Sequence, residues 1–197
     1  MRLFVLTRHG QTDFSVSRRV NGDPTVPVQL TPLGEAEARG LGLQVANLEL
    51  DLCVHTRFDR TRRTAEIALG SRAIPFAEEP LLDDVDIGAL EGQTIGEYRA
   101  WKHHRARTER FPAGESLDDA ARRYAAGLER LLERPEPRIL VVCHEIPIRY
   151  ALNAASGSDS LDGPAHEIGT CVPYLFDEPR LERAVAGIER LSAVDLR

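Results

Sequence analysis

Two histidines and their neighbouring arginine follow apolar runs in this sequence, and their side chains suggest phosphoryl chemistry. Phe4 to Leu6 leads into Arg8 and His9, and the run ILVVC at residues 139–143 leads into His144. A neutral imidazole is a competent nucleophile toward phosphorus, and the fork of an arginine matches phosphate oxygens in pairs. These residues therefore predict an anion pocket in which a histidine attacks and cations stabilise the charge on the phosphoryl oxygens.

The two histidines have different expected roles. Flanking cations disfavour protonation of His9, so its lone pair stays available near neutral pH. A protonated His144 would stabilise the negative charge of the phosphoryl group in flight. The leaving alkoxide needs a proton, and the stretch LLDDVDIGALEG offers four carboxyl groups that could supply it, those of Asp83, Asp84, Asp86 and Glu91. The residues alone do not choose among these acids, and the scheme requires no metal ion or cofactor.

The polar residues stand where predicted strands end, and ligands of open α/β sheets bind at the carboxyl ends of the strands. Short apolar runs alternate with segments of helical period, which predicts one α/β domain over residues 1–197, with a central, mostly parallel sheet between layers of helices. The predicted strands are Leu3–Thr7, Leu52–His55, Ile74–Phe76, Ile139–Cys143 and Thr170–Phe176. The predicted helices are Pro32 to about Leu48, Asp59–Leu69, Ile95 to about Arg107, Ser116–Glu133, Pro147–Ala155 and Leu181–Leu191. The fully apolar run ILVVC is typical of a central strand that is covered on both faces.

Composition limits the partners and the compartment that we expect. The 197 residues include 25 Lys and Arg against 31 Asp and Glu, which gives a net charge of −6. Nucleic acids and anionic membranes select basic faces, so neither is an expected partner, and an anionic ligand must be met by local cations. The 3 cysteines are widely spaced, and no signal peptide or long apolar segment is evident. We therefore expect a cytoplasmic protein without a disulfide framework.

Six segments of the chain resemble one family. The motif LTRHGQT is similar to the signature of the histidine phosphatase superfamily, in its phosphoglycerate mutase-like branch. The likeness continues in order through NGD with LTPLGEAEARGLG, HTRFDRTRRTAEIAL, VDIGALEGQT, FPAGESLDDAARR and LVVCHEIPIRYAL, over roughly residues 3 to 155. One RHG tripeptide is weak evidence, but six segments in the same order are specific. The resemblance implies a phosphoglycerate mutase-like α/β fold.

The resemblance also implies roles for individual residues. It implies His9 as the nucleophile that becomes phosphorylated, with Arg8, Arg60 and His144 gripping the phosphoryl group. It implies Asp84, by its position in the acid-bearing loop, as the proton donor and later the general base for water. These roles agree with the pocket predicted from the residues and add a choice among the acids.

The substrate-binding side departs from the family pattern at several positions. Asp84 stands where the family usually has glutamate, so its carboxyl is one methylene shorter, and the neighbouring acids remain alternatives. Ser15 stands where an asparagine commonly touches the phosphate, and its hydroxyl can still donate over a shorter reach. Asn21 and Gly22, from the second similar segment, are expected beside it on the substrate-binding side.

The residues after the second histidine depart most. Glu145 and Ile146 replace the two glycines that the family usually has there. A carboxylate beside a phosphate pocket would repel substrate unless it turned away or paired with Arg149. Glu145 therefore indicates either an altered substrate or a weakened enzyme.

The cationic and aromatic segment YRAWKHHRARTER, residues 98–110, predicts a lid or a substrate-selecting wall, with a solvated helix face as the alternative. Its cations would suit a substrate with a second anionic group, whereas Trp101 and Phe111 would suit a more apolar leaving group. His103 and His104 do not predict a metal site, because adjacent side chains on a helix point about 100° apart and no third ligand is evident.

The sequence favours a metal-independent phosphomonoesterase without cofactor, which hydrolyses a small phosphorylated metabolite and releases inorganic phosphate. A phosphoglycerate mutase is the nearest alternative, but about twenty residues separate Gly92 from Pro112, where the dedicated mutases of the family carry a longer insertion. A weakly active or non-catalytic phosphate-binding module is a further alternative, for which Glu145, Ser15 and Asp84 would be signs of decay. Helix Leu181–Leu191 could pack on a second copy of the chain, so a homo-oligomer stays open.

Overall fold

A sheet of five strands forms the centre of the fold. The structure, a computed structural model, describes residues 2–193, so residue 1 and residues 194–197 of the predicted domain lie outside it. The strands are β1 (Leu3–Arg8), β2 (Leu52–His55), β3 (Phe76–Glu78), β4 (Arg138–Cys143) and β5 (Tyr174–Asp177). They lie in the order β3-β2-β4-β1-β5, with β5 alone antiparallel to its neighbour. The predicted α/β fold and the central position of the ILVVC strand are confirmed.

Helices cover both faces of the sheet. They are α1 (Asp13–Ser17), α2 (Pro32–Gln44), α3 (Asp59–Leu69), α4 (Ile95–Lys102), α5 (Leu117–Glu133), α6 (Glu145–Ala155) and α7 (Glu178–Ser192), with short 3-10 helices at Pro80–Leu82 and Gly88–Leu90. Caps fix where the longer ones begin. The Thr31 side chain accepts from the amide of Gly34 at the start of α2, and Ser116 and Asp119 form a capping box at the start of α5.

Two apolar cores join these layers, because side chains alternate between the faces of each strand. Phe4 and Leu6 of β1 point into a core shared with α5, α6 and α7, whereas Val5 points into a core shared with α2 and α3. Strand β4 alternates in the same way, with Ile139 in the first core and Leu140 in the second. All of these side chains are at most 1% exposed, and full burial of each aliphatic one stabilises the fold by about 1.5–3 kcal/mol. The sheet is therefore a rigid base for the loops at its carboxyl edge.

The structure differs from the sequence prediction at several ends. Helix α4 stops at Lys102 instead of near residue 107, because the chain turns back there and the Trp101 ring stacks on Phe111, 4.3 Å between centroids. Strand β5 begins at Tyr174, and Thr170 makes an isolated bridge to β1. Helix α1 and the two 3-10 helices were not predicted, since elements this short show no hydrophobic period. Within residues 2–193, no helix combines the length and the apolar character needed to cross a membrane.

Candidate active site

The register of the parallel sheet brings the two predicted histidines together. Arg8 at the end of β1 pairs with Cys143 at the end of β4, and the amide of His9 donates to the Cys143 carbonyl oxygen at 3.1 Å. His9 and His144 therefore leave the sheet side by side, and their ring centroids lie 5.5 Å apart. The carboxyl edge of the sheet thus holds both imidazoles, as the strand-end pattern predicts.

Helices α2 and α3 together fix the loop that follows His9. The Gly10 amide donates to the Thr64 hydroxyl of α3 at 3.0 Å. A Cβ at Gly34, in the first turn of α2, would lie 2.0 Å from the carbonyl oxygen of Gln11. Only glycine permits this close approach, so the loop after His9 is held between two helices.

The His9 ring is held in the tautomer whose Nε2 is unprotonated. Its Nδ1 lies 2.8 Å from the Gly10 carbonyl oxygen, which can only accept, so Nδ1 carries the hydrogen. Its Nε2 accepts from Nε of Arg60 at 3.1 Å. Burial, followed by the charges of Arg60 and Arg8, lowers the pKa of His9 well below its usual value. His9 is therefore neutral, with Nε2 as its nucleophilic atom.

Arg60 joins the other polar groups around His9. Its Nη2 lies 3.3 Å from Oδ2 of Asp84 and 3.3 Å from Nδ1 of His144, and its Nη1 donates to the side-chain oxygen of Asn21. Its guanidinium carbon lies 4.2 Å from the Phe58 ring centre. Only 5% of Arg60 is exposed, so a buried cation stands at the centre of the site. Such a cation is a preorganised partner for negative charge that develops nearby.

His144 is completely buried beside this cation. Its Nε2 lies 3.0 Å from the Thr56 hydroxyl, and the Phe58 ring meets it edge to face at 4.7 Å. Burial, followed by the charges of Arg60 and His9, lowers the pKa of His144 well below its usual value. The protein's own groups therefore hold the ring neutral, and the protonated His144 of the sequence hypothesis would need the added negative charge of a phosphoryl group.

Among the four candidate acids, Asp84 lines the same cavity as His9. Its Oδ2 lies 3.5 Å from His144 Nδ1, and burial raises the pKa of the Asp84 carboxyl, against the opposing charge of Arg60. A raised pKa increases the fraction of a carboxyl group that is protonated and able to donate.

The other three acids have structural partners. Asp83 pairs with Arg57 at 2.5 Å, and exposed Asp86 accepts from the Gly88 amide at 3.0 Å. Glu91 accepts hydrogen bonds from the loop that begins at Asn21. These contacts favour Asp84 over the other three acids as the proton donor. Arg57 is paired with Asp83, which does not line the cavity.

Asn21 and Gly22 support the site from behind. The side-chain oxygen of Asn21 accepts a hydrogen bond from Arg60, and Nδ2 of Asn21 donates to Glu91 at 2.7 Å. The Gly22 amide donates to the same carboxylate at 2.7 Å, and a Cβ at Gly22 would lie 2.0 Å from the Val85 carbonyl oxygen. Asn21 lines the His9 cavity, whereas Gly22 lines a neighbouring depression. In this geometry Gly22 anchors the loop and does not face the cavity.

Ser15 lies at the cavity mouth but belongs to the cap of α1. Its hydroxyl oxygen accepts from the Thr12 amide at 3.3 Å and lies 2.9 Å from the Thr12 hydroxyl. Either hydroxyl can be the donor of this pair, and the Ser15 hydrogen can turn to a ligand only when the Thr12 hydroxyl donates. The structure therefore brings Ser15 to the cavity, with part of its bonding capacity already used.

Glu145 forms an ion pair that the sequence did not indicate. Its Oε2 lies 2.8 Å from Nη1 of Arg8, which also donates to the Ile168 carbonyl oxygen at 3.1 Å. Its Oε1 lies 3.7 Å from Nη1 of Arg149, the pairing that the sequence did suggest. The buried Nε of Arg8 has no hydrogen-bond partner within residues 2–193. The carboxylate thus bridges two cations of the cavity, one of which adjoins His9.

The cavity around these groups has a volume of about 280 Å³ and a strong positive bias. Six cationic side chains line it, against two carboxylates; the cations are Arg8, Arg19, Arg60, Arg99, Lys102 and Arg149, and the carboxylates are Asp84 and Glu145. Its apolar wall includes Phe14, Val28, Ile87, Ile95 and Ile146. Sequence reasoning missed Arg19, Phe14 and Val28; Arg19 and Phe14 follow the RHG motif within ten residues, a nearness that could have indicated them.

The segment at residues 98–110 is divided between wall and core. Tyr98, Arg99 and Lys102 line the cavity, which agrees with the wall hypothesis. Trp101 and Phe111 stack on each other, and Phe111 is 1% exposed, so this pair belongs to the core and not to the cavity.

The adjacent histidines lie beyond this wall. His103 and His104 are exposed, and their Nδ1 atoms are 3.3 Å apart. No cluster of three or more residues suited to a metal ion occurs within residues 2–193.

Comparison with known proteins gives a consistent family. Residues 4–177 match the model of the histidine phosphatase superfamily (branch 1). The chain is 30% identical over 165 residues to the uncharacterized phosphatase PhoE of Bacillus subtilis, covering 81% of this chain and 80% of that protein. It is 31% identical over 160 residues to the probable phosphoglycerate mutase GpmB of Salmonella choleraesuis, covering 77% and 74%.

A solved structure agrees with the sequence relatives. YhfR of Bacillus stearothermophilus superposes with a TM-score of 0.78 at 27% identity, covering 89% of this chain and 90% of that one. The resemblance seen in the motifs is thus confirmed by sequence and by fold. The chain belongs to the histidine phosphatase superfamily, and its enzyme class is that of the histidine-type phosphatases.

Proposed function

We propose that this protein hydrolyses phosphomonoesters through a phosphohistidine at His9. One observation carries the proposal: Nε2 of His9 faces Arg60 at 3.1 Å, and the same guanidinium contacts Asp84 and His144 at 3.3 Å. Nucleophile, acid and charge-stabilising groups therefore meet around one point where a phosphoryl group can bind. This is the arrangement that covalent phosphoryl transfer needs.

In the first step, Nε2 of His9 attacks phosphorus and the bond from phosphorus to the ester oxygen breaks. Asp84 gives its proton to the leaving alkoxide, for which its raised pKa suits it. Arg8 and Arg60 stabilise the charge on the phosphoryl oxygens, and the dianion favours protonation of His144.

In the second step, the Asp84 carboxylate takes a proton from water while the water oxygen attacks phosphorus. The bond between His9 Nε2 and phosphorus breaks, inorganic phosphate leaves, and the histidine is neutral again. The hydrogen bond from Nδ1 to the Gly10 carbonyl oxygen holds the ring in place through both steps. Kinetics with two successive half-reactions are expected.

Hydrolysis is favoured over transfer between substrate positions. The relatives include one protein named as a phosphatase and another named as a probable mutase, so their names do not decide. The chain between Gly92 and Pro112 contains one helix of 8 residues and a turn. This segment is short beside the insertion expected of dedicated mutases, which supports water as the acceptor.

The cavity wall supports a substrate that carries a second anionic group. Lys102 and Arg149 both lie close to Asp162, at 3.7 and 3.0 Å, so their charges are partly balanced. Arg19 and Arg99 line the cavity and form no ion pair within 4.0 Å among the described residues. They are the natural partners of a carboxylate or a second phosphate on the leaving group.

The test is phosphate release from p-nitrophenyl phosphate in excess EDTA. Wild type should be active and His9→Ala inactive, whereas His104→Ala, which removes an exposed histidine, should keep full activity. Loss of wild-type activity on chelation would overturn the metal-independent mechanism. No activity in the wild type, with inorganic phosphate still bound, would favour a phosphate-binding module. Wild-type protein quenched in alkali during turnover should carry protein-bound phosphate that His9→Ala lacks.

A further inference from the structure

We infer that Glu145 competes with the phosphoryl group of the substrate for Arg8 and thereby weakens binding of phosphate itself. The inference rests on the proposed function and identifies a specificity-determining residue within it. Its basis is the contact between Glu145 Oε2 and Arg8 Nη1 at 2.8 Å, beside His9.

The position of Glu145 makes this contact direct. It is the first residue of α6, immediately after His144, and it lines the cavity that contains His9. Its two carboxylate oxygens meet Arg8 and Arg149, and about a third of its side chain, 34%, is exposed. The amino end of a helix also favours a negative charge. The carboxylate therefore already occupies the kind of environment that a phosphoryl dianion would seek.

A phosphoryl group on His9 must share Arg8 with this carboxylate. Like charges at such short range repel, and the repulsion is little screened in a partly buried cavity. Arg8 Nη1 already donates to Glu145 and to the Ile168 carbonyl oxygen, which leaves the rest of its fork for the ligand. Phosphate binding is therefore opposed unless Glu145 moves away from Arg8.

Arg149 offers Glu145 a second position. Its Nη1 lies 3.7 Å from Oε1 of Glu145, while its Nη2 donates to Asp162 at 3.0 Å. When a phosphoryl group takes Arg8, the carboxylate can close on Arg149 without losing all its ion pairing. Arg149 thus lowers the free energy needed to clear Arg8.

This competition has a consequence for substrate choice. Since the phosphoryl end is bound weakly, affinity has to come from contacts between the leaving group and the rest of the cavity. Inorganic phosphate lacks those contacts and should dissociate readily after the second step. Esters whose leaving groups reach the cationic wall are thereby favoured over small phosphate compounds.

The experiment measures binding of inorganic phosphate by isothermal titration calorimetry and its inhibition constant against p-nitrophenyl phosphate. Glu145→Gln keeps the side-chain shape and removes the charge, and Glu182→Gln on the exposed face of α7 is the matched charge control. We expect Glu145→Gln to bind phosphate at least about tenfold more tightly than the wild type does, and the control variant to bind it with wild-type affinity. A gain of affinity is not what damage to the fold would produce.

A second comparison tests the part assigned to Arg149. Arg149→Gln should weaken phosphate binding in the wild-type background and have a much smaller effect in the Glu145→Gln background. Unchanged or weaker phosphate binding in Glu145→Gln would overturn the inference. Weaker binding would mean that Glu145 orients the Arg8 side chain for the phosphoryl group and does not compete with that group. Absence of measurable binding in both proteins would overturn it too. Because calorimetry needs no turnover, an inactive wild type would refute the hydrolase while the binding constants still decided the role of Glu145.

Discussion

Asp84→Asn separates the acid role of this residue from its structural role. Oδ1 of Asp84 accepts from the Val85 amide at 3.0 Å, a bond that the carbonyl oxygen of asparagine can keep. The asparagine amide then faces Nη2 of Arg60, in place of the carboxylate oxygen at 3.3 Å. The substitution thus retains the shape of the side chain and removes the ionisable group, so the variant can neither give a proton nor carry a negative charge at this position.

The expected loss depends on the leaving group. A positioned general acid contributes about 10²- to 10⁴-fold, which corresponds to about 2.7–5.4 kcal/mol of transition-state stabilisation. An alkyl phosphate releases a strongly basic alkoxide, so Asp84→Asn should lose kcat/KM by this full factor. The p-nitrophenolate ion leaves without a proton, so the loss with p-nitrophenyl phosphate should stay below about tenfold.

The assay compares kcat/KM for glycerol 2-phosphate and p-nitrophenyl phosphate in wild type and Asp84→Asn. Asp86→Asn is the control, because Asp86 is an exposed acid two residues away that bonds the Gly88 amide. An equal loss on both substrates would refute the acid role and leave Asp84 as a support for Arg60. A loss on glycerol 2-phosphate confined to Asp86→Asn would move the role to that residue.

Four further outcomes are expected. Burial raises the pKa of Asp84, so kcat/KM for an alkyl phosphate should fall as pH rises through the raised carboxyl pKa. Burial lowers the pKa of His9, so the fall of kcat/KM on the acid side, where His9 becomes protonated, should lie below about pH 6.5 in a pH profile. Asn21→Ala removes the side-chain acceptor of a buried guanidinium and should lower kcat/KM by about 10- to 100-fold; a change under about twofold would contradict its positioning role. Arg99→Gln should raise KM for 3-phosphoglycerate by about tenfold and leave that for p-nitrophenyl phosphate unchanged, in parallel steady-state assays. Tyr124→Phe removes a buried hydroxyl that has no partner within residues 2–193, so the protein should be as stable or up to about 1–3 kcal/mol more stable in denaturant melts; clear destabilisation would reveal a hidden partner.

The sequence was most informative where an element and a motif coincide. The apolar run before His144 predicted the central strand, and the similar runs before His9 and His55 predicted its two neighbours in the parallel sheet. Because parallel strands end at the same edge, the placement of His9 beside His144 follows from the topology. The resemblance implied Arg60 as a residue that grips the phosphoryl group, and Arg60 lines the cavity that contains His9.

The sequence was least informative about partners distant along the chain. Glu91 accepts a hydrogen bond from Gly22, 69 positions away in the sequence, and Asn21 accepts one from Arg60, 39 positions away. No local sequence pattern could therefore show that Asn21 and Gly22 bond to other residues of the chain and are not simply substrate contacts. The pairing of Glu145 with Arg8 was missed for the same reason, because it depends on the strand register. Helix α1 was missed because its five residues bury none of their side chains and therefore show no hydrophobic period, even though a capping box begins it.

The contacts of Arg60 explain why the effects of single substitutions in this site should not add. The Arg60 guanidinium contacts four side chains, those of His9, Asn21, Asp84 and His144. Removal of any one of them therefore changes the position of the guanidinium, or the charge around it, for the other three. Residues that act as a unit give losses that overlap when they are combined. Asn21→Ala combined with Asp84→Asn should therefore lose less than the product of the two single losses with an alkyl phosphate. If the losses multiply, the amide and the acid act independently, and Arg60 is not the group that couples them.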